Sequence, residues 1–71
     1  MMKKIKEKVV KDLENNIWIV SVFMCKIYDL PIEFKVKVGQ TDVGSFTMLP
    51  AALSEYRRIV NVLEKEKNGE I

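Results

Sequence analysis

The sequence predicts an α+β domain of order α-β-β-β-α, a three-stranded antiparallel sheet with two helices, assembled as a homodimer. Three observations carry this. Residues 17–28 are β-branched, aromatic and almost free of polar side chains, the composition of a long strand. Ile32, Phe34, Val36 and Val38 alternate with Glu33, Lys35 and Lys37, the pattern of a strand with one face buried and one wet. Leu53, Tyr56, Val60 and Leu63 recur at i, i+3, i+7 and i+10, one face of a helix.

Taken in order, residues 2–14 set Ile5, Val9 and Leu13 four apart, with Val10 beside them. This spacing predicts a first helix, with Lys3, Lys4, Lys6, Lys8 and Lys11 around its remaining faces. Asn15-Asn16 tolerates the left-handed backbone that ends a helix or opens a turn. The strand at 17–28 follows. One set of its side chains is Ile17, Ile19, Ser21, Phe23, Cys25 and Ile27; the other is Trp18, Val20, Val22, Met24, Lys26 and Tyr28. Both sets are mainly apolar, so both faces need cover. Two helices on one side leave the second face to another chain, and a second copy is the simplest such chain.

Asp29-Leu30-Pro31 reads as a turn into the alternating strand, and Gly39-Gln40-Thr41-Asp42 as a hairpin loop. Residues 43–48 form a third, shorter strand, where Gly44 marks a bulge or a close backbone approach. Pro50 suits a first helical turn, because its missing N–H is one a helix leaves unpaired anyway. Asn68-Gly69 then closes that helix.

Composition sets bounds on function. A chain of 71 residues makes one domain, residues 1–71, near the lower end of what folds on a single core. The net charge of +2 is too small to indicate nucleic-acid binding by itself. Cys25 stands alone, which fits a reducing, cytoplasmic setting. The apolar run is shorter than the roughly 20 residues that span a bilayer, so no membrane is expected as a partner. The sequence has no histidine, and its glycines match neither a phosphate loop nor a dinucleotide fingerprint. We therefore expect no catalytic residue, metal site or cofactor.

Two constellations remain for binding. Lys35 and Lys37 share the outer side of their strand. Lys26 joins them if the register allows, beside Trp18 and Tyr28. Cations interleaved with aromatics on a sheet suit single-stranded nucleic acid, where ammonium groups meet phosphates and bases stack on rings. Arg57 and Arg58, on the outer side of the last helix, suit a phosphate backbone or an acidic protein surface.

Residues 31–38, then Gly44-Ser-Phe-Thr-Met-Leu, then a helix bearing Tyr56 resemble the end of the PC4/p15-type transcriptional coactivators. The resemblance spans residues 31–63 and implies a dimer that binds single-stranded DNA on a basic, aromatic sheet. By position it carries over Gly44, Lys35 and Lys37. Val43 stands where that family has a basic residue, the helical aromatic comes two residues late, and the predicted first helix stands where that family begins with a strand. The α-β-β-β-α order is also that of double-stranded RNA-binding domains, although Pro50-Ala51-Ala52-Leu53 replaces their lysine-rich helix start.

The leading expectation is a small non-catalytic nucleic-acid-binding module using Lys26, Lys35, Lys37, Trp18, Arg57 and Arg58. The alternative is a small protein-binding regulator or inhibitor, of the kind found among compact phage and mobile-element proteins, acting through the strand at 17–28 or through the helix face of Arg57 and Arg58. The arrangement of charge separates them. A continuous basic stripe favours nucleic acid; mixed charge around an apolar patch favours protein.

Overall fold

The structure, a computed structural model, describes residues 2–28 and 30–67. Four strands, β1 (Met2–Lys11), β2 (Ile17–Ile27), β3 (Leu30–Val38) and β4 (Thr41–Phe46), precede a single helix, α1 (Leu49–Lys67). The strands form one antiparallel sheet in chain order. The predicted architecture is therefore corrected from three strands and two helices to four strands and one helix.

The error lies at the N-terminus, where residues 2–11 are strand. β1 pairs along β2 from Lys11 opposite Ile17 to Met2 opposite Cys25. Without it, β2 would expose a full row of unpaired backbone N–H and C=O groups. The lysines of the supposed helix lie along an outer strand, where charge discourages further strands from pairing. Asn15 does adopt a left-handed conformation (φ 66°), within the turn between β1 and β2.

Alternation along β2 gives the sheet two different faces. Val20 and Val22, with Val10, Val36 and Phe34 on the neighbouring strands, are buried, and Ala52 and Tyr56 of α1 are buried with them. Leu53, Ile59, Val60 and Leu63 complete the packing, as their spacing requires. The other face has no helix over it.

Three single-residue bulges shape the sheet, at Ile5, Ile32 and Val43, where the pairing registers slip by one. Gly39 opens the two-residue turn between β3 and β4 with φ of 61°, a conformation that favours glycine. The predicted turn residue Asp29 and the helix stop Asn68-Gly69 lie outside the described residues. Among those described, no helix is long and apolar enough to cross a membrane.

Asp12 organises the β1–β2 turn. Its carboxylate accepts hydrogen bonds from the Trp18 indole N–H (3.1 Å), the Asn16 backbone N–H (2.9 Å) and side-chain amide (3.2 Å), and the Glu14 N–H (2.8 Å). The Trp18 bond above all, opposed by desolvation and reinforced by the Asn16 and Glu14 donors, holds the carboxyl below its ordinary 3.8. A depressed folded pKa stabilises above the unfolded value, and that contribution is lost as pH falls through the folded one. Trp18 is the sole tryptophan, so its fluorescence should report this titration with a midpoint below pH 3.8. Asp12→Asn should abolish the transition; a wild-type midpoint at or above pH 3.8 would contradict the network.

Candidate functional site

The open face is built from alternate residues of β2 and their cross-strand neighbours. Ile17, Ile19, Ser21 and Phe23 lie opposite Lys11, Val9, Glu7 and Lys4 of β1. Ser21 and Phe23 lie opposite Lys37 and Lys35 of β3, and Lys37 and Lys35 opposite Asp42 and Ser45 of β4. Directly opposed residues share a face. The face is thus a patchwork, apolar towards the β1–β2 turn and charged towards the other end.

The predicted cluster does not assemble as one site. Lys35 and Lys37 are together, as expected. By alternation, Lys26 and Trp18 belong to the side of β2 that carries Val20 and Val22, the side α1 covers. Trp18 is committed to Asp12, and Tyr28 falls in the β2–β3 turn, almost fully exposed. Arg57 and Arg58 are exposed on α1, remote from the open face. Arg58 grips Glu55 through two hydrogen bonds of 2.7 and 2.6 Å, whereas Arg57 makes no ion pair among the described residues.

Residues that the sequence did not single out take their place. The Phe23 ring has the Lys37 ammonium 5.4 Å and the Lys4 ammonium 5.8 Å from its centre, each a cation–π contact worth about 0.5–1 kcal/mol at an exposed site. Lys4, Glu7, Ser21, Phe23, Lys37 and Gln40 line a shallow depression of about 210 Å³. Reading residues 2–14 as helix hid Lys4 and Glu7. The period-two set Glu7, Val9, Lys11 was the signal for Glu7; Lys4 reaches this face only through the bulge at Ile5, which alternation does not show.

The strand carboxylates of this face, Glu7, Glu33 and Asp42, are each paired. Glu7 meets Lys4 at 2.8 Å, Glu33 meets Lys35 at 3.6 Å, and Asp42 meets Lys35 at 3.7 Å and Lys37 at 3.5 Å. Ser45 donates to Glu33 as well, at 3.1 Å. The negative charge of Asp42 first, and of Glu33 second, raises the Lys35 pKa, so its ammonium stays charged. Beyond these pairs, Val9 (57% exposed), Ile17 (64%) and Ile19 (39%) form a bare aliphatic strip. Free Cys25 sits half-buried on the same side. Among the described residues, no group of three or more potential metal ligands occurs.

Comparison with protein families, with curated proteins and with solved structures finds no match.

Proposed function

We propose that the protein is a small non-catalytic protein-binding module, that the open face of its sheet is the working surface, and that it forms a homodimer through that face. The observation that carries this is the charge arrangement. Glu7, Glu33 and Asp42 interrupt the lysines and neutralise them locally, beside the exposed strip of Val9, Ile17 and Ile19. A string of phosphates across this face would meet a carboxylate on β1, on β3 and on β4. A protein surface with mixed charge and an aliphatic centre would not.

The test is sedimentation equilibrium of the wild type against Val9→Asp/Ile19→Asp. Both side chains are exposed, so the variant should keep its helical circular dichroism, although the two carboxylates, directly opposed on β1 and β2, lower its melting point. It should lose self-association. A wild type that stays monomeric to millimolar concentration, or a dimer indifferent to the substitutions, would overturn the reading.

Single-stranded nucleic acid on the same face is the second reading. Phe23 between two lysines favours it. So does the strand at residues 2–11, since it removes one of the departures from the coactivator resemblance.

A further inference from the structure

The aliphatic strip has a symmetry that specifies how a second copy would sit on it. Along β1 the open face carries Glu7, Val9 and Lys11 at two-residue steps, a negative, a neutral and a positive side chain. Along β2, Ile17 and Ser21 lie one step either side of Ile19, directly opposite Lys11 and Glu7. A two-fold axis lying in the plane of the interface, across the strands at Val9 and Ile19, reverses strand direction and leaves β1 over β1. It sets Val9 on Val9 and Ile19 on Ile19. It also sets Lys11 over the partner's Glu7 and Glu7 over the partner's Lys11. The unit Glu7-Val9-Lys11 is thus complementary to itself when β1 lies antiparallel over β1, whereas β1 laid parallel over β1 stacks like charges.

A second feature supports the same axis. Glu7, Asp12, Glu33, Asp42, Glu55 and Glu64 each hold a hydrogen bond or ion pair through the carboxylate, whereas the exposed Glu14 carboxylate has none among the described residues. Glu14 lies in the turn beyond Ile17. At about 3.3 Å per residue, that turn and Lys4 fall at similar distances, on the order of 10–13 Å, on opposite sides of the axis. Reversal brings Glu14 over the partner's Lys4. Lys4 spends one of its three N–H donors on Glu7 and keeps others for this contact.

We propose that two copies stack open face to open face about this axis, with Lys11 paired to the partner's Glu7 and Glu14 to the partner's Lys4. The proposal rests on the reading of the open face as a protein-binding surface. Sheets packed this way lie about 10 Å apart with strands nearly aligned, close enough for lysine and glutamate to meet.

Charge reversal tests it. In sedimentation equilibrium of the full chain, E7K and K11E should each raise the dimer dissociation constant roughly tenfold or more, because each replaces two attractions per dimer with two repulsions. The double variant E7K/K11E restores both pairs in reversed sense and should return to within about threefold of the wild type. Exposed side chains at both positions keep the variants folded, which circular dichroism checks. Single variants without effect, or a double variant as weak as the two losses combined, would overturn this arrangement. If Val9→Asp/Ile19→Asp still dissociates the dimer in that case, the open-face reading survives; a wild type that is monomeric defeats both.

Discussion

Tyr56→Ala should bring the domain close to unfolding. Tyr56 is only 5% exposed and is the largest α1 side chain among the buried residues, set against Val20, Val22, Phe34 and Val36. The Lys6 ammonium lies 5.7 Å from its ring, so the β1 edge also leans on it. Burial raises its pKa and keeps the hydroxyl protonated at neutral pH. Removing a buried aromatic costs about 3–5 kcal/mol. A chain of this size has roughly 4–10 kcal/mol in all, from about 0.05–0.15 kcal/mol per residue. The urea midpoint should therefore fall by about 3 M, given a slope near 1 kcal/mol per M for a small domain. Tyr56→Phe, which keeps the ring, should stay within about 1.5 kcal/mol of the wild type. Wild-type stability in Tyr56→Ala would mean that α1 is not docked as described.

Gly44→Val should cost about 1–3 kcal/mol, by crowding rather than by backbone strain. Gly44 lies opposite Val36, next to the bulge at Val43. A Cβ there would stand 2.8 Å from Phe46 Cε2 and 3.2 Å from Phe46 Cζ. Phe46 is paired with Phe34 and packs on the core, so the ring cannot turn away without loosening it. Gly44→Ala is the sharper control. If the space were open, alanine would stabilise the strand by about 0.4–1 kcal/mol through the unfolded state. We expect it to destabilise instead, and less than valine. Chemical denaturation with both variants decides between the two.

Part of the fold was legible in the residues. β2, β3 and α1 lie where composition and period placed them, and Gly44 has both the neighbouring bulge and the close approach that a glycine in a strand signals. The N-terminus was not legible, for a definite reason. Ile5, Val9 and Leu13 satisfy helical spacing, whereas Lys6, Lys8, Val10 and Glu7, Val9, Lys11 satisfy strand alternation. The bulge at Ile5 breaks that alternation near its start. What decides between them is the need of β2 for a partner on its outer edge, a tertiary demand that local periodicity does not carry.

The site was half legible for a similar reason. Within β2, alternation correctly grouped Lys26 with Trp18; within β3, it grouped Lys35 with Lys37. Which group shares a face depends on whether odd residues pair with odd or with even. The observed register sets Phe23 against Lys35 and Ser21 against Lys37, and a slip of one residue would have reversed the outcome. The bulge at Ile32 fixes that parity: beside the turn Ile27 pairs with Leu30, odd with even, and beyond the bulge Cys25 pairs with Glu33, odd with odd, a switch that nothing in the sequence announces.

The most direct test of the open face as a protein-binding rather than a nucleic-acid-binding surface is fluorescence anisotropy of a labelled single-stranded oligonucleotide and a labelled duplex. Each is titrated with protein at about 20 mM and 200 mM salt, since phosphate contacts are strongest at low salt. With Lys4, Lys35 and Lys37 already matched by Glu7, Glu33 and Asp42, the protein should bind neither oligonucleotide more tightly than micromolar, even at the lower salt. Sub-micromolar, salt-sensitive binding that weakens in Lys35→Ala/Lys37→Ala would contradict the account and assign the face to nucleic acid.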